Sequence, residues 1–173
     1  MTGRPHIAGL LLLGLLLVGC HSTPVTKEAA LTALIQRAVD GRAPGDAYQD
    51  IAPGGAADNE VFNYLESWLD VNAEAVQGVI SAGLPSEGAF SFTRSADGRR
   101  TYLIAQGWPG SQVRSKVLRP VSGSRITLLG WEDALPWEQL GGTLVITTPR
   151  EMADEENHPC VQAFVFRIEA PSR

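Results

Sequence analysis

The chain has 173 residues, a length that suits one compact domain with short extensions. Apolar residues make up 44% of the sequence and charged residues 19%, which are ordinary proportions for a globular protein that buries a core. The formal net charge is -5, whereas proteins that bind nucleic acids concentrate lysine and arginine on one face. Composition therefore argues against a nucleic-acid partner.

The N-terminus has the pattern of an export signal. Arg4 is followed by the apolar run IAGLLLLGLLLVGC, which is shorter than the roughly 20 residues that span a bilayer. Residues 17–20, LVGC, resemble the lipobox of bacterial lipoproteins, in which the signal is cut before a cysteine that is then acylated. The alternative is an ordinary cleaved signal in which Cys20 plays no part. We expect residues 1–19 to be removed and Cys20 to carry lipid, because several acyl chains anchor a protein stably.

Acylation of Cys20 leaves the second cysteine of the chain, Cys160, without a partner, so no intrachain disulfide is expected despite export. Cys160 is predicted to be a small buried apolar side chain rather than a reactive thiol. His21 follows Cys20 in the place of an aspartate, which resembles outer-membrane sorting in bacteria with two membranes. The expected location is the cell envelope, with the lipid bilayer as a partner through Cys20.

Two helices are predicted before any strand. Thr26 is a candidate N-cap for a helix over KEAALTALIQRAVDG, which Gly41 would end. Its apolar stripe is Leu31, Leu34, Ile35, Ala38 and Val39. Residues 42–58 are rich in proline and glycine and have no periodicity, so they are predicted to form a loop or linker.

The second helix is predicted over EVFNYLESWLDVNAEAVQ, with Asp58 or Asn59 as its N-cap and Gly78 as its C-terminal stop. The residues that share its apolar face are Val61, Leu65, Trp68, Leu69 and Asn72.

From about residue 88 the pattern changes to an alternation with period two. The segments AFSFT and RTYLIAQG flank RSADGR, whose Asp-Gly pair is typical of a hairpin. Further strand candidates are QVRSKVLR, SRITLLG, TLVITTP and VQAFVFRIE. Several short strands with no helix between them predict a mainly β fold, an antiparallel sandwich or barrel.

The junction between the helices and the strands has a familiar sequence. Residues 68–78, WLDVNAEAVQG, resemble the end of the last barrel helix in bacterial alpha-L-fucosidases, where Trp-Leu precedes Asn-Gly-Glu-Ala-Ile-Tyr-Gly and an all-β C-terminal domain follows. The resemblance covers residues 60–170 and departs at Ala73 and Gln77, where the family usually has Gly and Tyr. Later landmarks in the family's order are Phe92, Thr93, residues 102–105, residues 107–109, residues 126–130, Leu135, Trp137, residues 144–146, Pro149 and Ile168.

This resemblance implies a two-sheet antiparallel β-sandwich preceded by one or two α-helices. The expected organisation is a signal peptide at 1–19, a tether, short helix and loop at 20–59, a junction helix at 60–78, and the sandwich at 79–173. The resemblance also places catalysis in a barrel before the junction, with an aspartate nucleophile and a second acidic residue. Such a barrel takes about 250 residues, so the sequence before residue 60 has no room for it.

Two carboxylates at the junction, Asp70 and Glu74, could form an acid–base pair. A retaining glycosidase holds such a pair about 5–5.5 Å apart across the sugar. However, no nucleophile, histidine or metal ligand lies close in sequence. The favoured interpretation makes Asp70 a solvated residue and Glu74 a partner for a backbone N–H at the junction. No catalytic residue is therefore expected, and no cofactor.

The loop EMADEENHP offers Glu155, Glu156 and His158 as metal ligands. Cation sites need several convergent oxygens in a defined loop, and this segment has no such spacing. We therefore predict a solvated hairpin tip rather than a metal site.

Tryptophans are the best candidates for glycan contact, because a sugar ring stacks on an exposed indole face. Trp108, Trp131 and Trp137 lie in GWPG, GWED and PWEQ, at predicted strand ends or turns. The alternative is that they fill the sandwich core and its edges. Trp131 is predicted to be the most exposed, with Glu132 and Asp133 beside it as hydroxyl acceptors.

The sequence thus predicts a lipid-anchored, non-catalytic module that contacts a glycan or supports a partner glycosidase. A structural or protein-interaction lipoprotein without sugar contact is the second hypothesis. Alpha-L-fucosidase activity is the third and the least favoured.

Overall fold

A computed structural model describes residues 25–42 and 56–171, with residues 56–59 described by their backbone alone. Helix α1 spans Lys27–Val39, and helix α2 spans Ala56–Asn72 and continues into a 3-10 turn at Ala73–Ala75. Eight strands follow in this part of the chain: β1 Val79–Ser81, β2 Phe90–Ser95, β3 Arg100–Gln106, β4 Gln112–Ser115, β5 Arg125–Leu128, β6 Trp137–Leu140, β7 Thr143–Thr147 and β8 Ala163–Glu169.

The strands form two antiparallel sheets. The larger sheet has the order β1-β2-β3-β8-β5, and the smaller has the order β4-β7-β6. The predicted fold class, a mainly β antiparallel two-sheet sandwich preceded by helices, is confirmed. Two further 3-10 turns, Arg150–Ala153 and Glu155–Asn157, connect β7 to β8.

The alternation of side chains along β3 shows how the layers are arranged. Tyr102 and Ile104 pack with the helices, whereas Leu103 and Ala105 pack with residues of the smaller sheet. The larger sheet is therefore the middle of three layers. We call its two sides the helical core, between helices and larger sheet, and the sandwich core, between the two sheets.

Helix α1 forms as its sequence predicts. The hydroxyl oxygen of Thr26 accepts a hydrogen bond from the amide of Ala29 at 3.2 Å, which confirms Thr26 as the N-cap. Gly41 adopts a φ of +71° just beyond the helix, as expected for a C-terminal stop. The buried stripe consists of Ala30, Leu31, Leu34, Ile35 and Ala38, with Val39 partly buried beside it.

Helix α2 begins earlier than predicted. Asp58 and Asn59 lie inside the helix, so the prediction that one of them is its N-cap is wrong. Ala56 and Ala57 are strong helix formers and extend the helix towards its N-terminus. The predicted apolar face, Val61, Leu65, Trp68, Leu69 and Asn72, is buried. Gly78 adopts a φ of +65° where the chain turns into β1.

Two strands escaped prediction because they are short and mostly exposed. β1 and β6 show no alternation between buried and exposed positions, so they lack the pattern by which strands are recognised. β4 also ends at Ser115, before the end of the predicted segment. Neither helix in the described ranges is long and apolar enough to cross a bilayer.

Candidate functional site

Trp108 lies in the loop that leaves the C-terminal end of β3. Gly107 adopts a φ of +100°, a backbone conformation that glycine reaches without strain, and so redirects the chain after the strand. The amide of Gly107 donates a hydrogen bond to the carbonyl oxygen of Gln162. Gln162 itself has a φ of +70°, and its side-chain oxygen accepts a hydrogen bond from the hydroxyl of Tyr64. The Trp108 loop is therefore fixed against β8 and, through Gln162, against α2.

The indole of Trp108 packs in a cluster of three rings. Its centroid lies 4.5 Å from that of His158 and 5.0 Å from that of Phe164, while His158 and Phe164 are 5.1 Å apart. The ring planes of Trp108 and Phe164 meet at 72°, which is the edge-to-face arrangement that aromatic quadrupoles favour. The His158 Nε2–H donates to the carbonyl oxygen of Met152 at 3.0 Å. These contacts hold the indole in one orientation.

Trp108 lines two cavities on its own side of the fold. The first has a volume of about 540 Å³ and is lined by Trp108, Gly110, Ser111, Gln112, Thr147, Thr148, Pro149, Arg150, Met152 and Ala153. The second has a volume of about 350 Å³ and includes Glu155, His158, Cys160 and Gln162. Both volumes fall within the range of small-ligand pockets, about 300–1,000 Å³.

The polar groups of the larger cavity come from segments that are distant in sequence. Thr148 donates its hydroxyl to the carbonyl oxygen of Gly110 at 2.9 Å and so ties the two walls of the cavity together. The side-chain oxygen of Gln112 accepts from Arg114 at 2.8 Å, which leaves the Gln112 amide nitrogen as a donor. Within the described part of the chain, Arg150 supplies the only charged group that lines this cavity. The arrangement combines an aromatic wall with neutral and cationic donors.

The other two tryptophans are placed differently. Trp131 and Trp137 are half-buried and pack against the sandwich core, and the indole N–H of Trp137 donates to the carbonyl oxygen of Ser124 at 3.0 Å. Trp108 is half-buried as well, so exposure alone does not single out Trp131. Neither Trp131 nor Trp137 lines the two cavities beside Trp108.

The two carboxylates of the junction, Asp70 and Glu74, have different surroundings. Asp70 is exposed, as predicted. Glu74 lies in the 3-10 turn, and its carboxylate is 3.1 Å from the guanidinium of Arg167 and 3.8 Å from that of Arg100. The predicted backbone N–H partner is thus corrected to two arginine side chains. Because β3 and β8 pair side by side, Arg100 and Arg167 come from neighbouring strands and bind one carboxylate.

Tyr102 lies beside this ionic contact, cross-strand from Arg167 and fully buried. Burial, followed by the charge of Glu74, raises the pKa of the Tyr102 phenol above its ordinary value of 10.0. The phenol therefore stays neutral at physiological pH, and the Glu74 contact has the character of a structural ion pair.

The loop before β8 is more ordered than a solvated hairpin tip. Glu155 and Glu156 are exposed, but His158 is half-buried in the ring cluster, which corrects the prediction for that residue. The sequence EENHP does not predict the packing of His158, because its aromatic partners, Phe164 on β8 and Trp108 after β3, lie outside this segment. Within the described residues, no three His, Cys, Asp or Glu side chains are grouped as metal ligands.

Cys160 is partly buried and contacts both cores. Its thiol donates to the carbonyl oxygen of Ala163 at 3.2 Å. Burial raises the pKa of the Cys160 thiol above its ordinary value, and Asn72 offsets part of that shift. The raised pKa favours the protonated thiol, in agreement with the predicted packing role. Cys20 and His21 lie outside the described residues.

Solved structures with a similar fold include several alpha-L-fucosidases. An alpha-fucosidase of Thermotoga maritima in complex with fucose has a TM-score of 0.61 and 18% identity, covering 86% of this chain and 36% of that chain. An alpha-L-fucosidase of Bacteroides thetaiotaomicron, trapped as a covalent intermediate, has a TM-score of 0.60 and 13% identity, covering 85% and 33%. Isoenzyme 1 of Paenibacillus thiaminolyticus has a TM-score of 0.60 and 12% identity, covering 85% and 35%. The chain has the fold of a domain of alpha-L-fucosidases.

This likeness confirms the predicted resemblance at the level of the fold. It spans about one-third of each fucosidase chain. The match covers 85% of this chain, which is more than residues 60–170 alone contain. It therefore extends towards the N-terminus beyond the predicted range. No protein-family model matches the sequence, and no curated protein matches it.

Proposed function

We propose that the chain is a lipid-anchored, non-catalytic module that contacts a glycan at Trp108. The cavity beside Trp108 is the observation that carries this proposal, because it joins an oriented indole to several polar donors. The C–H bonds of a sugar ring present an apolar patch that stacks on an indole, while its hydroxyls accept hydrogen bonds from groups around the ring. The fucosidase-like fold supports a carbohydrate-related setting.

Rigidity of the site supports the same function. His158 and Phe164 hold the Trp108 ring in place before any ligand arrives, and Thr148 fixes the opposite wall through Gly110. A site that is already ordered loses little conformational entropy on binding, so modest contacts suffice for a weak sugar ligand.

Binding to a glycan array by the full-length chain tests this proposal. We expect Trp108→Ala to weaken binding about tenfold, which corresponds to about 1.4 kcal/mol. Trp131→Ala is the matched control, because it removes an equal side chain outside both cavities. Gln112→Ala is a second variant, chosen because its exposed side chain is removed without disturbing the ring cluster. Equal losses in the two tryptophan variants, or no glycan bound by the wild type, would contradict glycan contact at Trp108.

Anchoring is proposed from the sequence LVGC that ends at Cys20. Acyl chains on Cys20 would hold the module at the cell envelope, in the outer membrane where the host has two membranes. Fractionation of cells that express Cys20→Ser should find the protein released from membranes. Continued membrane association of that variant would exclude Cys20 as the anchor.

Absence of catalysis is proposed from the surroundings of Glu74, whose oxygens are bound by Arg167 and Arg100. Both oxygens of this carboxylate are therefore engaged in ion pairs within the fold, at 3.1 Å from Arg167 and 3.8 Å from Arg100. The full-length chain should therefore release no fucose from a chromogenic fucoside. Turnover that Glu74→Gln abolishes would establish the alternative, a glycosidase activity related to that of alpha-L-fucosidases.

A protein-interaction role is the second candidate, favoured by an apolar surface near α2. Val161 is 62% exposed and lines a cavity of about 220 Å³ together with Tyr64, Trp68 and Pro159. Cross-linking in cells should capture a partner at a photoreactive residue in place of Val161 if this surface serves a partner glycosidase. Capture there, combined with no glycan binding, would favour this function over the first.

A further inference from the structure

We infer that the end of the sandwich opposite Trp108 carries a second binding site, formed by Arg94 and Arg119, for a small anion attached to an apolar body. The two arginines line a cavity of about 290 Å³ whose other lining residues are Leu84, Thr101, Val117, Leu118, Pro120 and Ile168. Trp108 follows the C-terminal end of β3, whereas Thr101 stands near its start. The two sites are therefore about 20 Å apart along the strand.

Arg94 occupies a position where the fold favours an apolar residue. Phe90 and Phe92 precede it at alternate positions of β2, and Phe92 is buried in the sandwich core. Across the sheet, Arg94 pairs with Thr101, and Thr101 pairs with the buried Ile168. An arginine therefore replaces the next inward apolar side chain of the strand, at the margin of the sandwich core.

The guanidinium of Arg94 has a hydrogen-bond donor without a partner among the described residues. Its Nε is buried, and it has no hydrogen-bond partner in the part of the chain that the structure describes. A buried donor without a partner is energetically unfavourable, and more so when it is charged. Because the Nε is closed to solvent, a ligand would bind at the outer nitrogens of the guanidinium, whose planar arrangement of donors matches carboxylate, sulfate and phosphate groups.

Arg119 faces the same cavity from the connection between β4 and β5. Its Nη1 donates to the carbonyl oxygen of Leu118 at 2.8 Å, which orients the guanidinium and leaves its other donors available. No carboxylate is among the described residues that line this cavity. Glu87 contacts the adjoining segment, but its two oxygens already accept from the Ser115 hydroxyl and the Lys116 amide, each at 2.7 Å. The local charge is therefore positive in a chain of net charge -5.

The remaining walls determine which anions fit. Leu84, Val117, Leu118 and Ile168 present aliphatic surface beside the two guanidiniums. A bare inorganic anion would leave this surface in contact with water, whereas an alkyl or ring substituent on the anion would bury it. The site therefore fits an amphiphilic monoanion or dianion, either a soluble one or the headgroup end of a lipid.

Isothermal titration calorimetry on the full-length chain in phosphatidylcholine nanodiscs tests the site, with hexyl phosphate as the probe. Inorganic phosphate and hexyl glucoside separate the contributions of the charge and of the alkyl chain. We expect both to bind at least about tenfold more weakly than hexyl phosphate, a difference of about 1.4 kcal/mol. Equal binding of either control probe would overturn the inference of an amphiphilic anion, and so would the absence of hexyl phosphate binding.

Three variants assign the binding to the two arginines. Arg94→Met keeps the aliphatic stem of the side chain and should therefore fold. Its affinity for hexyl phosphate should fall at least about fivefold, and Arg119→Gln should show a similar loss. Arg99→Gln is the matched control, because Arg99 is an exposed arginine on the β2–β3 turn, outside the cavity. Undiminished binding in Arg94→Met, confirmed as folded by circular dichroism, would overturn the inference.

The lipid of the nanodisc distinguishes the two sources of the anion. Nanodiscs that contain phosphatidylglycerol should weaken the apparent affinity for hexyl phosphate if a lipid headgroup occupies the site. An unchanged affinity would support the same site with a soluble anion as its ligand.

Discussion

The two sides of the larger sheet are held by different kinds of contact. In the helical core, directional hydrogen bonds accompany the packing: the Trp68 indole donates to the Ala163 carbonyl at 2.8 Å, and the Thr93 hydroxyl donates to the Ala75 carbonyl at 2.6 Å. The sandwich core consists mainly of aliphatic and aromatic side chains from the two sheets, with Phe92, Leu103, Phe164, Phe166, Leu144 and Ile146 buried there.

This difference explains what the junction does. Apolar burial is non-directional, so an amphipathic helix packed only by its apolar stripe could rotate or slide on a sheet. The Trp68 and Thr93 hydrogen bonds, with the Glu74 ion pairs, select one position for α2 and its 3-10 turn. The helices therefore belong to the folded unit and are not a detachable tether, in agreement with a fucosidase-like match that extends into them.

The largest effect is expected when Trp68 is removed from the helical core. Trp68→Ala should lower the free energy of unfolding by about 3–5 kcal/mol, because it leaves a cavity in a fully buried region. Trp68→Phe keeps a ring but loses the donor to Ala163, so it should cost about 1 kcal/mol from the hydrogen bond in addition to the smaller volume.

Urea denaturation followed by circular dichroism measures both Trp68 variants. Phe92→Ala, on the sandwich side, is the comparison, with an expected loss of about 3–5 kcal/mol. A single transition in every variant would show that the two cores unfold together. A loss below about 1 kcal/mol in Trp68→Ala would contradict the view that the helices are integral to the fold.

A somewhat smaller loss of stability is expected from substitution of Gly130, where the chain leaving β5 approaches the helical layer. A Cβ atom there would lie 2.5 Å from the Cβ of Pro159 and 2.9 Å from Cγ1 of Val71, and Gly130 has a φ of +82°. Gly130→Ala should therefore cost about 2–3 kcal/mol through steric overlap and backbone strain.

Gly98 separates the two causes of that loss. It has a φ of +71° in the β2–β3 turn, but a Cβ there would meet nothing within 4 Å. Gly98→Ala should thus cost only the strain, about 1 kcal/mol. Equal shifts in thermal unfolding for the two variants would show that the close approach of Gly130 to Pro159 and Val71 is unimportant.

The sequence predicted those parts of the molecule whose pattern is local. The stripe of α1 and the Asp-Gly hairpin at residues 95–100 are examples, because each depends on residues a few positions apart. β6 was missed because its side chains are mostly exposed, which leaves no alternation to detect. The start of α2 was misplaced because good capping residues at 58 and 59 stand next to two alanines that continue the helix.

The candidate sites were only partly predictable. Trp108 was identified by its residue type, but its cavity needs Gln112 and Arg150, which only the fold brings together. Similarly, the arginine partners of Glu74 depend on the register of β3 and β8, in which Tyr102 pairs with Arg167. Contacts across such sequence distances follow from strand pairing, and no local motif records them.

A modest effect is expected from the junction carboxylate. Glu74→Ala should cost about 1 kcal/mol, because its ion pairs with Arg167 and Arg100 are partly exposed to water and therefore screened. Asp70→Ala, four residues earlier and exposed, is the matched control and should change stability by less than about 0.5 kcal/mol. A double-mutant cycle with Arg167→Ala measures the coupling energy between the two side chains, and independent effects of the two substitutions would contradict a structural role for this ion pair.

The smallest effect is expected at Glu87, whose carboxylate accepts a hydrogen bond from Ser115 on β4 of the smaller sheet. Partial burial alone would raise the pKa of the Glu87 carboxyl, but hydrogen bonds from Ser115 and from the Lys116 amide outweigh it and lower the pKa below its ordinary value of 4.5.

A carboxyl whose pKa is lower in the folded state stabilises the protein above its unfolded-state pKa, and that contribution disappears as pH falls through the folded-state pKa. The wild type should therefore exceed Glu87→Gln in melting temperature at pH 6, and the difference should shrink progressively as the pH falls below the ordinary carboxyl pKa of 4.5. In a Ser115→Ala background the same substitution should have a smaller effect, because one of the hydrogen bonds that favour the carboxylate is gone. A difference between wild type and Glu87→Gln that persists unchanged from pH 6 to pH 3 would show that the carboxylate charge does not hold this end of the sandwich together.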